Sequence, residues 1–129
     1  MSDLIVTVLD VVNSARVLAE QGDHFTKFDR MTPTGAFRLR VLRPEIGKAY
    51  ETYNGARIEQ AEQFGVKNKA GTAYEFPDPD KLAAFNAAMT EIHAQKVTLA
   101  GCKALTIADL GETRVSDIAM TLLGPLVVE

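Results

Sequence analysis

The stretch that decides the fold is PTGAFRLRVLRPEIGKAYETYNGARIEQAEQF, residues 33–64. Its apolar side chains recur every three or four residues, as on one face of an α-helix, and their phase does not change at Pro44. The residues on this stripe are Leu39, Leu42, Ile46, Ala49, Tyr50, Tyr53, Ala56 and Phe64. Two separate helices would have no reason to keep register across a break. One helix of about thirty residues, bent at Pro44, is therefore favoured over two shorter helices, which remain the alternative.

The ends of this stretch carry helix start and stop signals. Thr32 can cap the first turn, Pro33 occupies the first helical position, where its missing N–H costs nothing, and Gly65 follows the last turn. Inside the stretch, Gly47 and Gly55 each cost up to about 1 kcal/mol relative to alanine. We therefore expect another part of the backbone to approach the helix closely at these two glycines.

The flanking segments predict further helices. An amphipathic helix starts at a capping box formed by Thr7 and Asp10 and is closed by Gly22. A middle helix starts at Asp78 and Pro79. A short last helix is capped by Ser116 and stopped by Gly124 and Pro125. The apolar positions of the first helix are Val8, Val11, Val12, Ala15, Leu18 and Ala19, and those of the middle helix are Leu82, Phe85, Met89 and Ile92.

Three segments favour β-structure. Asn68 and Gly71 are turn residues ahead of the short run 74–76, which indicates a small hairpin or an edge strand. The segment KVTLAGCKALTI, residues 96–107, is expected to pair either with that run or with the apolar lead LIV, residues 4–6. We predict a single α+β domain over residues 1–129, rich in helix, in which the long helix packs with an N-terminal and a middle helix beside a small sheet or hairpin.

Composition narrows the class of protein. Of the 129 residues, 47% are hydrophobic and 24% are charged, which is typical of one soluble globular domain. The net charge of -3 argues against nucleic acid as a partner, since domains that bind nucleic acid are usually strongly basic. Asp3 and Asp10 interrupt the apolar N-terminal run well short of a membrane span, so no membrane association is expected.

The residues able to carry chemistry are few. His24 stands beside Asp23, but adjacent residues rarely face each other, which favours a surface pair over a general base. His93 lies in the predicted last turn of a helix, where a cation interacts favourably with the helix dipole. Cys102 is the single cysteine, next to Lys103, and its small apolar neighbours indicate a buried side chain in a strand. Neither an enzyme nor a cofactor or metal site is predicted.

The first half of the long helix contains three arginines, and arginines aligned along one helix face could bind the phosphates of a nucleic acid. Arg38, Arg40 and Arg43 project about 100° per residue apart around a helix, so they do not form one line along a nucleic-acid backbone. Solvent-facing or salt-bridging side chains that flank the Leu39–Leu42 seam are the better interpretation.

Charge and apolar residues are unevenly distributed along the chain. Residues 27–43 contain five basic residues and one acidic residue, whereas Arg114 is the only basic residue after Ala104, among four acidic ones. The C-terminal stretch GPLVVE is mostly apolar, so we expect its side chains to be buried against other atoms. Copies of the chain could pair a basic face with an acidic one and cover this tail. The candidate partner-contact residues are Arg38, Arg40, Arg43, Leu126, Val127 and Val128.

The order of features along the chain resembles small bacteriophage and prophage proteins of uncharacterised function, some encoded among virion morphogenesis genes. The resemblance covers most of the chain. It runs from VTVLDVVNSARVLAEQ through the long helix and GTAYEFPDPDKLAAFNAAMTEI to VSDIAMTLLGPLV. The single residues that carry it are Tyr53, Arg57, Phe64, Gly65, Gly71, Phe85 and Asn86. It implies a phage origin and supplies no catalytic residues.

These observations lead to one functional hypothesis and one alternative. The first is a non-enzymatic phage protein that acts in virion assembly or as a small head-tail or tail component. It would self-associate or bind other phage structural proteins, in the host cytoplasm during assembly or in the virion. The alternative is a phage accessory module that captures a host protein or a small anionic ligand through the three arginines or through Lys67 and Lys69.

Overall fold

The computed structural model of the protein describes residues 3–18, 30–111, 113 and 117–128. Within these ranges the helices are α1 (Val8–Leu18), α2 (Pro33–Phe64), α3 (Pro79–His93) and α4 (Asp117–Leu123). The strands are β1 (Leu4–Thr7), β2 (Val66–Lys67), β3 (Tyr74–Glu75), β4 (Lys96–Leu99), β5 (Leu105–Thr106) and β6 (Val127–Val128). Single 3₁₀ turns span Ala108–Leu110 and Gly124–Leu126. The helix-rich α+β class predicted from the sequence is confirmed.

Helix α2 runs without interruption through Pro44, so the single-helix prediction is confirmed and the two-helix alternative is wrong. The hydroxyl of Thr32, in extended conformation, accepts a hydrogen bond from the Gly35 N–H at 3.1 Å, and Pro33 occupies the first turn. At the other end the N–H of Gly65 donates to the Ala61 carbonyl at 2.8 Å. The two ends are therefore fixed by the local signals read from the sequence.

The N-terminal segment also folds as predicted. The Asp10 N–H donates to Thr7 Oγ1 at 3.2 Å, and the Thr7 N–H donates to Asp10 Oδ2 at 3.0 Å, which is a capping box at the start of α1. Strand β1 pairs antiparallel with β4, and Leu4 faces Leu99. The β4 segment thus takes the N-terminal lead as its partner, while Tyr74 belongs to a separate hairpin with β2.

The hydrophobic core is built by β1, α1, the first half of α2, β4, β5 and the C-terminal segment. Its buried residues are Val6, Val11, Val17, Leu18, Leu39, Leu42, Ile46, Leu99, Cys102, Leu105, Leu123 and Leu126. From the second half of α2, only Ala61 is buried, and Tyr50 on the predicted stripe is exposed. Of the seam predicted for α3, only Met89 is buried, and Leu82 is exposed.

The apolar C-terminal segment is covered largely by the chain itself, so Leu126, one of the candidate partner-contact residues, is not at the surface. Gly124 turns the chain with φ 53°, and Leu126 is completely buried in the core. Strand β6 then pairs parallel with β5, and Val127 faces Leu105. Val127 packs partly buried against the core, whereas Val128 is exposed.

The prediction of close backbone approach at Gly47 and Gly55 is wrong. A methyl group placed at either position would meet no atom of the described residues within 4 Å. The close approach occurs at Gly35, where a methyl group would overlap the main-chain carbonyl of Asp109. Packing against the turn at 108–110, far away in sequence, requires this glycine, and helical periodicity does not report such a contact.

Three sequence predictions fall outside the described residues. They are the end of the first helix at Gly22, the loop residues Asp23 and His24, and the Ser116 cap of the last helix.

Candidate binding groove

A β-hairpin packs against the second half of α2. Strands β2 and β3 pair antiparallel, the Thr72 N–H donates to Asn68 Oδ1 at 3.0 Å, and Gly71 has φ 70°. A methyl group at Gly65 would come within 2.9 Å of a ring carbon of Phe76 and within 3.0 Å of the Glu75 carbonyl oxygen. The absence of a side chain at position 65 thus lets the hairpin approach α2.

A groove of about 800 Å³ opens between the second half of α2, the hairpin and α3. Its apolar lining is contributed by all three elements: Ile58, Ala61, Phe76, Phe85 and Met89. The rings of Phe76 and Phe85 lie 4.6 Å apart between centroids and are tilted by 37°. This lining offers an aromatic and aliphatic surface to a flat ligand.

The polar lining at one side of the groove is a tyrosine–histidine pair. Tyr53 from α2 and His93 from the last turn of α3 have ring centroids 5.5 Å apart and an interplanar angle of 25°. Tyr53 Oη lies 3.4 Å from His93 Nε2, a long hydrogen bond. Burial raises the pKa of the Tyr53 phenol, with a smaller opposite effect from Arg57. His93 is thus in the predicted last turn, and its ring packs against α2.

At the other side, the hairpin contributes charged and hydroxyl groups. Tyr74 Oη donates to Glu62 Oε1 at 3.1 Å, and Lys67 Nζ lies 5.9 Å from the centroid of the Tyr74 ring. Desolvation and the hydrogen bond to Glu62 raise the pKa of the Tyr74 phenol. The hydroxyl hydrogen of Tyr74 is thus engaged with Glu62, and its oxygen can still accept a hydrogen bond.

Arg57 stands between these two sides. Its Nε and Nη2 atoms donate to Asn54 Oδ1 at 3.1 and 3.0 Å, one helical turn earlier on α2. The positive charge acts to lower the pKa of both Tyr53 and Tyr74, as expected of a cation near both phenols. Two hydrogen bonds to one amide oxygen hold the guanidinium in place, and no described residue accepts a hydrogen bond from Nη1.

The candidate partner-contact arginines lie away from this groove. Arg38 Nη1 donates to Asp109 Oδ2 at 2.7 Å, so it pairs within the chain with a residue of the acidic C-terminal part. Arg40 is exposed, and Arg43 is half-buried and engaged in an interaction of its own. The interpretation of Arg38 as a salt-bridging residue is confirmed.

Of the two lysines suggested for anion capture, Lys67 lines the groove and Lys69 is exposed in the hairpin turn. Cys102 is buried, as predicted, but it follows Gly101, with φ 72°, in the turn between β4 and β5 and is not in a strand. Burial raises the pKa of its thiol, which disfavours the reactive thiolate.

The described residues contain neither a candidate metal site nor a candidate membrane-spanning helix. Within residues 3–18, 30–111, 113 and 117–128, His, Cys, Asp and Glu side chains form no group that could hold a metal ion. No helix in the same part of the chain is long and apolar enough to cross a membrane.

The sequence analysis did not identify the groove as a site. Five of the residues quoted for the resemblance to phage proteins nevertheless line it: Tyr53, Arg57, Gly71, Phe85 and Asn86. A signal was present, since Tyr53, Asn54 and Arg57 add polar groups at helical spacing beside the apolar stripe of α2. The packing of the hairpin over these three residues could not be predicted from the sequence. No protein-family model, curated protein sequence or solved structure matches this chain.

Proposed function

We propose that this protein is a non-enzymatic binding module whose ligand occupies the groove between α2, the hairpin and α3. The observation that carries the proposal is an open space of about 800 Å³ in which an aromatic and aliphatic lining adjoins fixed polar groups. Ligand sites typically measure about 300–1,000 Å³ and combine an apolar lining with a few well-placed polar groups.

The chemistry of the lining supports binding. The Tyr53 and Tyr74 hydroxyls lie on the groove, and the Tyr74 hydroxyl engages the Glu62 carboxylate. The Arg57 guanidinium is held by Asn54. These groups offer hydrogen bonds and charge at fixed positions, which is the requirement for orienting a ligand.

The proposal is tested by nuclear magnetic resonance with isotope-labelled protein and a panel of apolar, anionic and cationic fragments. We expect the shift changes to concentrate at the backbone amides of Ile58, Tyr74 and Phe85. Ala73 is exposed and lines the groove, so Ala73→Trp should obstruct the space and weaken binding. Ala70 is exposed on the same hairpin, outside the groove lining, so Ala70→Trp is the matched control. Shift changes confined to another surface would reject the groove as the binding site.

A second candidate is the assembly role predicted from the sequence, in a phage virion or during its construction. It is supported by exposed apolar side chains near one of the candidate contact residues. Phe37 is 69% exposed and lies with Arg38, Val41 and Lys103 along a depression of about 270 Å³. An exposed aromatic side chain beside cations is a common anchor of protein–protein contacts.

Sedimentation analysis of the purified chain tests the assembly role. If copies associate through this surface, a dimer or larger species should form at tens of micromolar, and Phe37→Ser should dissociate it. Leu82→Ser, at another exposed apolar position, is the control. A monomer throughout this concentration range, together with absence of the chain from purified virions, would count against assembly.

A further inference from the structure

The charge of the groove differs from that of the chain as a whole. Arg57 and Lys67 contribute two positive charges to its lining, and Glu62 contributes one negative charge. The lining is therefore net positive in a chain whose net charge is -3. A local field of this sign attracts anions even when the protein as a whole is acidic.

The two cations differ in how firmly they are held. Arg57 is fixed by two hydrogen bonds to Asn54 Oδ1, whereas Lys67 sits over the Tyr74 ring on an exposed strand. A guanidinium presents a planar fork of N–H groups that suits a carboxylate, and an ammonium on a flexible stem adjusts to the charge. The primary anion contact is therefore assigned to Arg57, with Lys67 in support.

The apolar lining specifies the other part of the ligand. Phe76 and Phe85 from different elements adjoin Met89 on the α3 side, and the Tyr53 and His93 rings are stacked near them. Flat aromatic ligands gain from offset or edge contacts with such rings and from methionine sulfur. An aliphatic ligand of equal size would gain only from its buried area.

Resting on the proposed function, we infer that the groove selects a planar aromatic compound that carries one negatively charged group. The charged group is placed at Nη1 of Arg57, which has no acceptor among the described residues, and the ring lies against Phe85 and Met89. Glu62 disfavours a second negative charge because its carboxylate lines the same groove. The class is thus an aromatic monoanion, of which an aryl carboxylate is the simplest member.

The experiment compares four probes of nearly equal size in magnetic resonance titrations of the full chain. They are 2-naphthoate, the neutral 2-naphthamide, the cationic 2-naphthylmethylammonium and the dianionic 2,6-naphthalenedicarboxylate. One charge-assisted hydrogen bond to a fixed arginine should give 2-naphthoate about a tenfold lower Kd than the amide. The dianion should bind more weakly than 2-naphthoate, and the cation most weakly. Decahydro-2-naphthoate, a saturated monoanion with the same number of ring carbons, tests the aromatic preference, and it should bind more weakly than 2-naphthoate.

Three variants test whether the preference for the monoanion arises from charged residues of the groove. Arg57→Gln should raise the Kd of 2-naphthoate about tenfold and leave that of 2-naphthamide unchanged. Arg40→Gln removes the same charge from an exposed position of α2 outside the groove and should change neither. Glu62→Gln should lower the Kd of 2-naphthoate about threefold, because it removes the like charge. The amide spectrum of each variant shows whether it is folded before it is titrated.

The outcomes separate this inference from the proposed function. Equal binding of 2-naphthoate and 2-naphthamide at the groove would overturn the charge preference and leave a binding groove. Tighter binding of the ammonium probe would do the same. If Arg57→Gln and Arg40→Gln weaken binding equally, the assignment to Arg57 is wrong. If neither these probes nor the wider fragment panel shift any groove amide, the inference and the proposed function both fall.

Discussion

The two halves of α2 belong to one continuous helix and yet perform different tasks. Residues 33–46 supply Gly35, Leu39, Leu42 and Ile46 to the buried interior, whereas residues 47–64 supply only Ala61. The buried side chains of the first half belong to one core with those of α1 and β5, and the second half lines the groove with α3 and the hairpin. Continuity of secondary structure therefore does not imply uniform burial. One half forms the core, and the other lines the groove.

The largest expected effect contrasts a core position with a groove position. Leu42 is completely buried, so Leu42→Ala should lower the free energy of unfolding by about 3 kcal/mol through lost burial and the cavity left behind. Ile58 is half-buried in the groove lining, and Ile58→Ala should cost about 1 kcal/mol. Urea unfolding followed by circular dichroism measures both. Equal losses would mean that the second half of α2 is as much a part of the core as the first.

A pair of glycines sharpens the comparison because the same substitution should act in opposite directions. Gly35→Ala would force a methyl group into the Asp109 main chain and should lower the free energy of unfolding by about 2 kcal/mol. Gly47 is exposed, and a methyl group there would meet no described residue within 4 Å, so Gly47→Ala should raise the free energy of unfolding by about 0.5–1 kcal/mol through helix propensity.

Thermal unfolding of the two alanine variants provides the check. A lower free energy of unfolding for Gly47→Ala would support the close backbone approach that the sequence predicted at Gly47. A neutral result at Gly35 would mean that the 108–110 turn moves away from α2 at little cost.

These glycines show where sequence reasoning succeeded and where it stopped. The ends of α2 were predictable because Thr32, Pro33 and Gly65 act on their own neighbours along the chain. Gly35 carries no such local signal, since the atoms that exclude a side chain there belong to Asp109, far away in sequence. The groove was missed for the same reason. Tyr53 and Arg57 lie on a readable helix face, but Phe76 and Phe85 reach them only through tertiary packing.

The ion pair between Arg38 and Asp109 predicts how stability responds to acid. Hydrogen bonds from the Thr106 N–H at 2.9 Å and from Arg38 at 2.7 Å hold the pKa of Asp109 below its ordinary value. A lowered folded-state pKa contributes stability that is present above about pH 4, where the unfolded chain's carboxyl is ionised. This stability is lost as the pH falls through the lower folded-state value.

Asp109→Asn should therefore reduce the free energy of unfolding by about 1 kcal/mol at neutral pH, since Arg38 is partly exposed and screened. The difference from the unmodified chain should shrink as the pH falls below about 4. Urea unfolding at a series of pH values measures it, with Glu59→Gln as the exposed control. A difference that stays constant down to strongly acidic pH would show that the carboxylate charge is not what stabilises this contact.

The smallest expected effect separates two arginines of the same helix. Arg38→Gln removes the partner of a buried carboxylate and should lower the free energy of unfolding by about 1 kcal/mol. Arg57 bonds only to Asn54, one turn away on the same helix, among the contacts seen in the described residues, so Arg57→Gln should stay within about 0.5 kcal/mol of the unmodified chain. Urea unfolding of both variants under identical conditions measures the contrast. A loss at Arg57 as large as that at Arg38 would make the guanidinium a folding element of the second half of α2. A negligible change in the free energy of unfolding would show that the fold does not need the Arg57 cation. That result is expected of a side chain whose role is to bind a ligand.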